Sequence, residues 1–253
     1  MTFCPVCASV SAPYKSSGKY KFFECTQVNC GHVFVWPPPS LQELDNIYSD
    51  KKSSIANSNG YTLLEDYREN PKIIRDYFNE RQINFLKQIS TVLKNKEASI
   101  LDVGCSTGML LRVLKDEGYK NLIGFDISES ACRLVEREHD IPCYSALNKI
   151  PDKKFDLIIL FEVLEHVTDP IFFLSALTEK LSPSGKVWVV VPNFDSPYAR
   201  FFKSFWVWWI PPIHLQYFTR NSLINTFTAS GLKKESLGSF YSGTYIFLIV
   251  LHF

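Results

Sequence analysis

Apolar positions along this chain follow two alternating rhythms. Short, nearly continuous apolar runs predict strands near residues 98–103, 121–125, 155–161, 186–191 and 244–251, with a further strand near 234–240. Between them, apolar side chains return at helical spacing and predict helices over 108–117, 129–138, 170–181 and 219–230. An earlier segment opens at Pro71 and sets Ile74, Phe78, Phe85, Leu86, Ile89 and Leu93 on one helical face, so a helix should cover the sheet before its first strand. This alternation implies an α/β architecture with a mainly parallel, doubly wound sheet and ligands outside its carboxyl ends. The last two strands are joined by Tyr241-Ser242-Gly243, too short for a crossover helix, and must therefore pair antiparallel.

The first forty residues break the rhythm. Cys4-Pro5-Val6-Cys7 and Cys25-Thr26-Gln27-Val28-Asn29-Cys30 flank a predicted hairpin, with Tyr20 to Glu24 as a strand and Ser16-Ser17-Gly18 as a turn. Two cysteine knuckles around a hairpin are the pattern of a zinc ribbon, in which Cys4, Cys7, Cys25 and Cys30 surround one structural Zn2+. The metal would supply stability that so short a segment cannot obtain from burial. The second knuckle holds four residues between its cysteines, which leaves His32 as a substitute ligand for Cys30. Unligated buried cysteines are the structural alternative. Trp36-Pro37-Pro38-Pro39 reads as a stiff linker, Ser40 as the cap of a short helix through Tyr48, and 50–60 as a polar loop. The expected division is a ribbon over 1–39, a linker and helical cap over 40–95, and a ligand-binding domain over 96–253.

Composition narrows the class. The chain has 253 residues, 46% hydrophobic, with a formal net charge of +1, so no global field draws it to nucleic acid or an anionic membrane. Within the ribbon, Lys15, Lys19 and Lys21 stand against Glu24, a mild excess and not a basic face. No basic stretch followed by an apolar core opens the chain, and the run from Tyr245 to Leu251 is too short to span a bilayer. Seven cysteines without a secretory signal suggest reduced thiols and a cytoplasmic setting. Cys105, Cys132 and Cys143 read as packing residues.

The chemistry begins at residues 99–110. An apolar run ends in Asp102, turns through Gly104 and Gly108, and re-enters a helical pattern at Met109; the next run ends in Asp126, 24 positions after Asp102. Glycines let backbone approach a ligand, and a carboxylate at about this offset meets ribose hydroxyls. Ser106 and Thr107 occupy the middle of the turn, so this is not the three-glycine dinucleotide fingerprint. No Lys-Ser/Thr pair makes a phosphate loop. A pyrophosphate ligand is thereby disfavoured.

Ile100-Leu101-Asp102-Val103-Gly104-Cys105-Ser106-Thr107-Gly108 resembles the first motif of class I S-adenosylmethionine-dependent methyltransferases, and Gly124-Phe125-Asp126-Ile127-Ser128 their ribose-binding motif. The resemblance continues through Phe155–Val167, Leu181–Lys186, Val191-Pro192-Asn193 and His214–Thr219, in the family's order. Glu162-Val163-Leu164-Glu165-His166 is similar to the subgroup that holds ubiquinone-pathway O-methyltransferases and many bacterial small-molecule methyltransferases. The cysteine knuckles, Pro-rich stretch and following helix also resemble bacterial methyltransferases with an N-terminal zinc domain. The resemblance implies a Rossmann-like fold with a seven-stranded, mainly parallel sheet and an antiparallel last strand. It implies S-adenosylmethionine as cofactor, with Asp102, Gly104, Cys105 and Gly108 at its methionine end, Asp126 at the ribose, and Ile127 and Phe161 beside it.

Glu162, Glu165 and His166 follow the fourth strand, where substrate should meet cofactor. In ubiquinone-pathway relatives the matching residues are understood to bind magnesium, which would acidify a hydroxyl nucleophile. The favoured alternative has Glu165 and His166 orienting the next helix, with His166 bonded to backbone. His214 lies in a loop after the fifth strand, as general base or substrate contact, or as a structural residue bonding a backbone carbonyl. The aromatic run Phe201–Trp209 would suit an apolar lid, a lipid-linked substrate site or a homodimer surface. The leading expectation is a methyltransferase acting on O or C of a small molecule: a sugar, a lipid precursor or a secondary metabolite. The alternatives are an RNA methyltransferase that grips nucleic acid through the ribbon, and a non-catalytic cofactor-binding protein.

Overall fold

The computed structural model describes residues 1–40, 42–44, 89, 93–240 and 245–252. The helix predicted from Pro71 lies outside these residues except at Ile89 and Leu93, as do the loop at 50–60 and most of the helix after Ser40. That helix does start where expected, with Ser40 Oγ accepting from the Glu43 amide at 3.2 Å.

Two sheets are present among the described residues. A five-stranded sheet takes β1 (Thr2–Phe3), β2 (Val10–Ser17), β3 (Tyr20–Cys25) and β4 (Val33–Val35), and β10 (Gln216–Tyr217) completes its edge. A seven-stranded sheet is built from β5 (Ser99–Val103), β6 (Asn121–Phe125), β7 (Cys143–Tyr144), β8 (Phe155–Phe161), β9 (Leu181–Pro192), β11 (Leu232–Phe240) and β12 (Tyr245–His252). Its order is β11-β12-β9-β8-β5-β6-β7. β5, β6 and β7 pair parallel, whereas β12 runs antiparallel to both β9 and β11. The fold is the mainly parallel α/β sheet with an antiparallel last strand that the sequence predicts.

Burial explains why these strands were legible. Ile100 and Leu101 of β5, Leu157–Leu160 of β8 and Val187–Val191 of β9 are wholly buried, so both sheet faces demand apolar side chains. Two strands depart from expectation. β7 is two residues long, too short to carry any periodic signal. β9 starts at Leu181, ahead of the predicted residue 186. Its register with β12 begins only at Lys186, so Pro183 occupies a stretch where β12 asks for no N–H.

The chain divides into two compact units, Met1–Pro39 with Leu160–Phe253, and Ser40–Ile159. The second unit carries helices α1 (Met109–Asp116) and α2 (Glu129–His139), the latter capped by Ser128 Oγ on the Ala131 amide at 3.2 Å. The first carries α3 (Pro170–Thr178), α4 (Pro197–Phe202) and α5 (Arg220–Ala229). Thr219 and Ser222 cap α5 reciprocally, at 3.0 and 2.9 Å. The Thr219 hydroxyl also donates to the Cys30 carbonyl at 2.6 Å, so one cap serves both the helix and the second cysteine knuckle.

Candidate functional site

In the Ser40–Ile159 unit, β5 delivers Asp102 to its carboxyl end and the chain turns through left-handed conformations at Gly104 (φ 72°), Ser106 (φ 50°) and Gly108 (φ 74°). The Gly104 and Cys105 amides donate to the Phe125 carbonyl at 2.7 and 3.1 Å, which ties the turn to the end of β6. Asp126 receives the Ser106 amide on one oxygen and the Ser128 amide on the other, both at 2.9 Å. One carboxylate thus orders the glycine turn and the start of α2 together. A Cβ at Gly108 would stand 2.8 Å from Val135 Cγ2 and from His139 Cδ2, so glycine is required there for space as well as for dihedral.

Asp102 is buried, and burial together with the neighbouring Asp126 charge pushes its carboxyl up to about 8. Burial also raises Asp126, while its two amide bonds pull it back. Two carboxyls crowded in a low-dielectric turn favour a ligand that brings positive charge and hydroxyl donors. Ile127 is exposed beside them and offers an apolar surface. The Cys105 thiol points elsewhere, lying 3.5 Å from that of Cys143, so Cys105 contributes backbone to the turn.

In the other unit, β8 ends at Phe161 and Glu162 adopts φ 56°, a left-handed conformation uncommon for a side-chain-bearing residue. A single 3-10 turn over Leu164–His166 follows. The Leu215 amide donates to the Glu165 carbonyl at 2.8 Å, and His166 Nδ1 meets the Ile213 carbonyl at 2.8 Å. The segment before β10 is thereby laid against this turn. It brings Glu165, His166 and His214 together, with one ligand atom from each within 4.8 Å of the others. The two imidazoles meet edge to face, with centroids 4.8 Å apart.

Electrostatics make this cluster unusual. Burial, and then the nearby Glu162 charge, holds the Glu165 carboxyl well above the ordinary carboxylate range, and neither buried oxygen has a hydrogen-bond partner among the described residues. Burial pulls His166 down to about 4. Burial and then His166 hold His214 well below the usual imidazole range. His214 Nδ1 lies 3.0 Å from the Trp208 carbonyl, so Nδ1 carries the proton and Nε2 is the basic nitrogen. The backbone-bonding roles foreseen for His166 and His214 are both present.

A third cluster lies in the N-terminal sheet. Cys4, Cys7, Cys25 and Cys30 place their sulfurs within 4.8 Å of one another, with 3.9 Å between Cys4 and Cys30 and 3.4 Å between Cys7 and Cys25. Sulfurs around a tetrahedral Zn2+ at about 2.3 Å stand about 3.8 Å apart, so the donor set fits that ion. The Val6 amide approaches Cys4 Sγ at 3.4 Å. The Cys4 partner lowers the Cys30 thiol to about 5. His32 stands outside this set. Its Nε2 meets Gln216 Oε1 at 2.8 Å and its Nδ1 meets Ser222 Oγ at 3.3 Å.

A family model described as a methyltransferase domain matches residues 74–237. The chain belongs to this family. Similar proteins include a ubiquinone biosynthesis O-methyltransferase of Hydrogenovibrio crunogenus, 31% identical over 133 residues, covering 49% of this chain and 52% of the relative. A tRNA U34 carboxymethyltransferase of Nautilia profundicola is 31% identical over 144 residues, covering 49% of this chain and 45% of the relative. The chain spans about half the length of the curated relatives it matches. Among solved structures, magnesium protoporphyrin IX methyltransferase from Synechocystis with bound SAH is similar, with TM-score 0.61 at 12% identity, covering 85% of this chain and 100% of that one. Burkholderia thailandensis 1,6-didemethyltoxoflavin-N1-methyltransferase gives TM-score 0.58 at 14% identity, covering 95% and 98%. At such identities these structures show the fold, which is that of class I S-adenosylmethionine-dependent methyltransferases.

Within this methyltransferase domain, Gln216 has a role that its sequence context does not announce. Gln216 accepts from His32 and donates to the Val167 and Thr168 carbonyls at 2.9 and 3.2 Å. It therefore joins the N-terminal sheet to the chain that follows Glu165 and His166. Its only sequence signal was a polar residue amid Leu215, Tyr217 and Phe218. Among the described residues, no helix is long and apolar enough to cross a membrane.

Proposed function

We propose that this chain transfers the methyl group of S-adenosylmethionine to an oxygen or carbon of a small molecule. The observation that carries the reading is the pair formed by buried Asp102 and half-buried Asp126 around a close-approach glycine turn. S-adenosylmethionine brings an ammonium, a sulfonium and a ribose diol, which match two crowded carboxyls in charge and in donors. Asp102 and the turn would take the methionine end, Asp126 the ribose and Ile127 the adenine. Phe161 is assigned to the cofactor by motif resemblance.

Transfer is an in-line displacement, in which the acceptor atom bonds to the methyl carbon as the carbon–sulfur bond breaks. A hydroxyl acceptor must also lose a proton. His214 is neutral with Nε2 basic, the state a general base requires, and Glu165, held protonated by burial, would stabilise the imidazolium only on losing its own proton. Glu162 and His166 shape that environment. The ligand atoms that converge are those of Glu165, His166 and His214, one carboxylate with two imidazoles, a set poorer in the oxygen donors that magnesium prefers than the Glu162, Glu165 and His166 set expected for that ion. The four N-terminal thiols are proposed to hold one structural Zn2+, within the division into ribbon 1–39, cap 40–95 and methyltransferase domain 96–253.

The test follows S-adenosylhomocysteine release across a library of sugar, phenol and lipid-precursor acceptors. With the responding acceptor, His214→Asn should lower kcat about 100-fold or more while cofactor affinity stays within a few-fold. Unchanged turnover would remove His214 as the base. Methylation of tRNA with no small-molecule turnover would move the protein to the RNA-modifying alternative.

A further inference from the structure

The aromatic run has two faces. Ser196 Oγ caps α4 on the Ala199 amide at 3.0 Å, and Pro197 opens it. Ala199 and Trp206 turn inward, with Trp206 against Phe194 and Tyr217 at centroid distances of 5.8 and 6.4 Å. These anchors hold the segment in place. From the same segment Phe201, Phe205 and Val207 stand 80%, 86% and 74% exposed, with Tyr198 and Phe202 about half exposed. A row of large apolar side chains this exposed on an anchored segment marks an interaction surface.

Charge selects the partner. Between residues 196 and 219 the only formally charged side chains are Arg200 and Lys203, both exposed, and no acid interrupts them. Among the described residues, Arg200 forms a long ion pair with Asp195 at 3.9 Å. A second copy is a poorer match, because a two-fold contact sets this patch against itself and the patch carries two cations with no acid to receive them. A surface that is anionic outside and apolar just beneath suits both features. Phenylalanines enter the headgroup–acyl boundary while long basic side chains reach lipid phosphates.

We propose that the segment Tyr198–Val207 docks the protein on an anionic lipid bilayer as an interfacial anchor that does not span it. The proposal is independent of the methyl-transfer reading, since vesicle binding needs neither cofactor nor acceptor.

The experiment is co-sedimentation of the full, metal-loaded chain with phosphatidylcholine vesicles with and without about one-third phosphatidylglycerol, at physiological salt. The wild type should partition onto the anionic vesicles, and Phe201→Ser with Phe205→Ser should weaken that partition at least tenfold. Arg200→Gln with Lys203→Gln should weaken it on anionic vesicles and leave the small binding to neutral ones unchanged. All four positions are exposed, and circular dichroism should confirm unchanged folding. Absence of wild-type partition, or partition by both double variants equal to that of the wild type, would overturn the proposal. Sedimentation equilibrium supplies the remaining outcome. A dimer that the phenylalanine variant splits, without vesicle binding by the wild type, would assign the patch to copy–copy association instead.

Discussion

Gly108 shows how closely one residue can be specified. Its positive φ excludes most side chains, and its missing Cβ makes room for Val135 and His139 at 2.8 Å. Gly108→Ala should destabilise the fold by about 1–3 kcal/mol, read from urea midpoints, and should weaken S-adenosylmethionine binding at least tenfold by calorimetry. Asp102 makes a second residue-scale prediction. With its carboxyl at about 8, it is largely protonated at neutral pH, and a cationic ligand would ionise it. Cofactor binding at pH 7 should therefore release a proton, measured as a calorimetric enthalpy that depends on the buffer's ionisation heat. Asp102→Asn should abolish that dependence; if the dependence survives, Asp102 is not the group that meets the ligand's charge. Asp126→Ala should weaken cofactor binding for two reasons, losing the ribose acceptor and the brace on the Ser106 amide.

At the scale of elements, the cysteine-bearing N-terminal strands and the C-terminal half are joined by backbone. β10 pairs with β4 through Gln216↔Phe34 and Tyr217↔Val33, and the Val35 amide donates to the Leu215 carbonyl at 2.9 Å. Asn225 reaches the Asn29 carbonyl at 3.1 Å. Removing zinc should therefore loosen more than the cysteine knuckles. Hydrogen exchange after chelation should speed up at residues 214–222 as well as at 1–35. Loss of protection confined to the knuckles would show that β10 holds without the metal, and a metal analysis finding no zinc would refute the ribbon itself. Little of this was legible in advance. The knuckles were visible from cysteine spacing, but a two-residue partner strand more than 180 positions away has no local signature. His32 was readable as a ligand by its position, and only the paths of β4 and β10 direct it to Gln216.

For the whole molecule, buried titratable groups predict a stability optimum. His32 and His166 are drawn down to about 4, and His214 is also lowered, so the unfolded chain binds protons that the native state refuses. Stability should fall as pH drops from about 6.5 toward 4. Asp102 and Glu165 act with the opposite sign: their raised carboxyls keep protons the unfolded chain has released, a contribution lost as pH rises through the folded values. The urea midpoint of the zinc-loaded chain should peak near pH 6.5. His32→Gln should lower the unfolding free energy at neutral pH by about 1–3 kcal/mol, read from the midpoint, while flattening the acid limb, and Asp102→Asn should flatten the alkaline one.

The local code alone determined the α/β alternation, most strand positions, the glycine turn with its two carboxylates, and the cysteine knuckles. Each rests on neighbouring residues: two-sided burial makes a strand continuously apolar, and a tight turn requires glycine wherever it occurs. Tertiary structure decided the rest. It set Glu165, His166 and His214 within reach of one another, gave His32 to Gln216, and turned Phe201 and Phe205 outward while Trp206 went in. Such outcomes depend on which distant segments meet, and side-chain type carries no record of a partner that only the folded chain supplies.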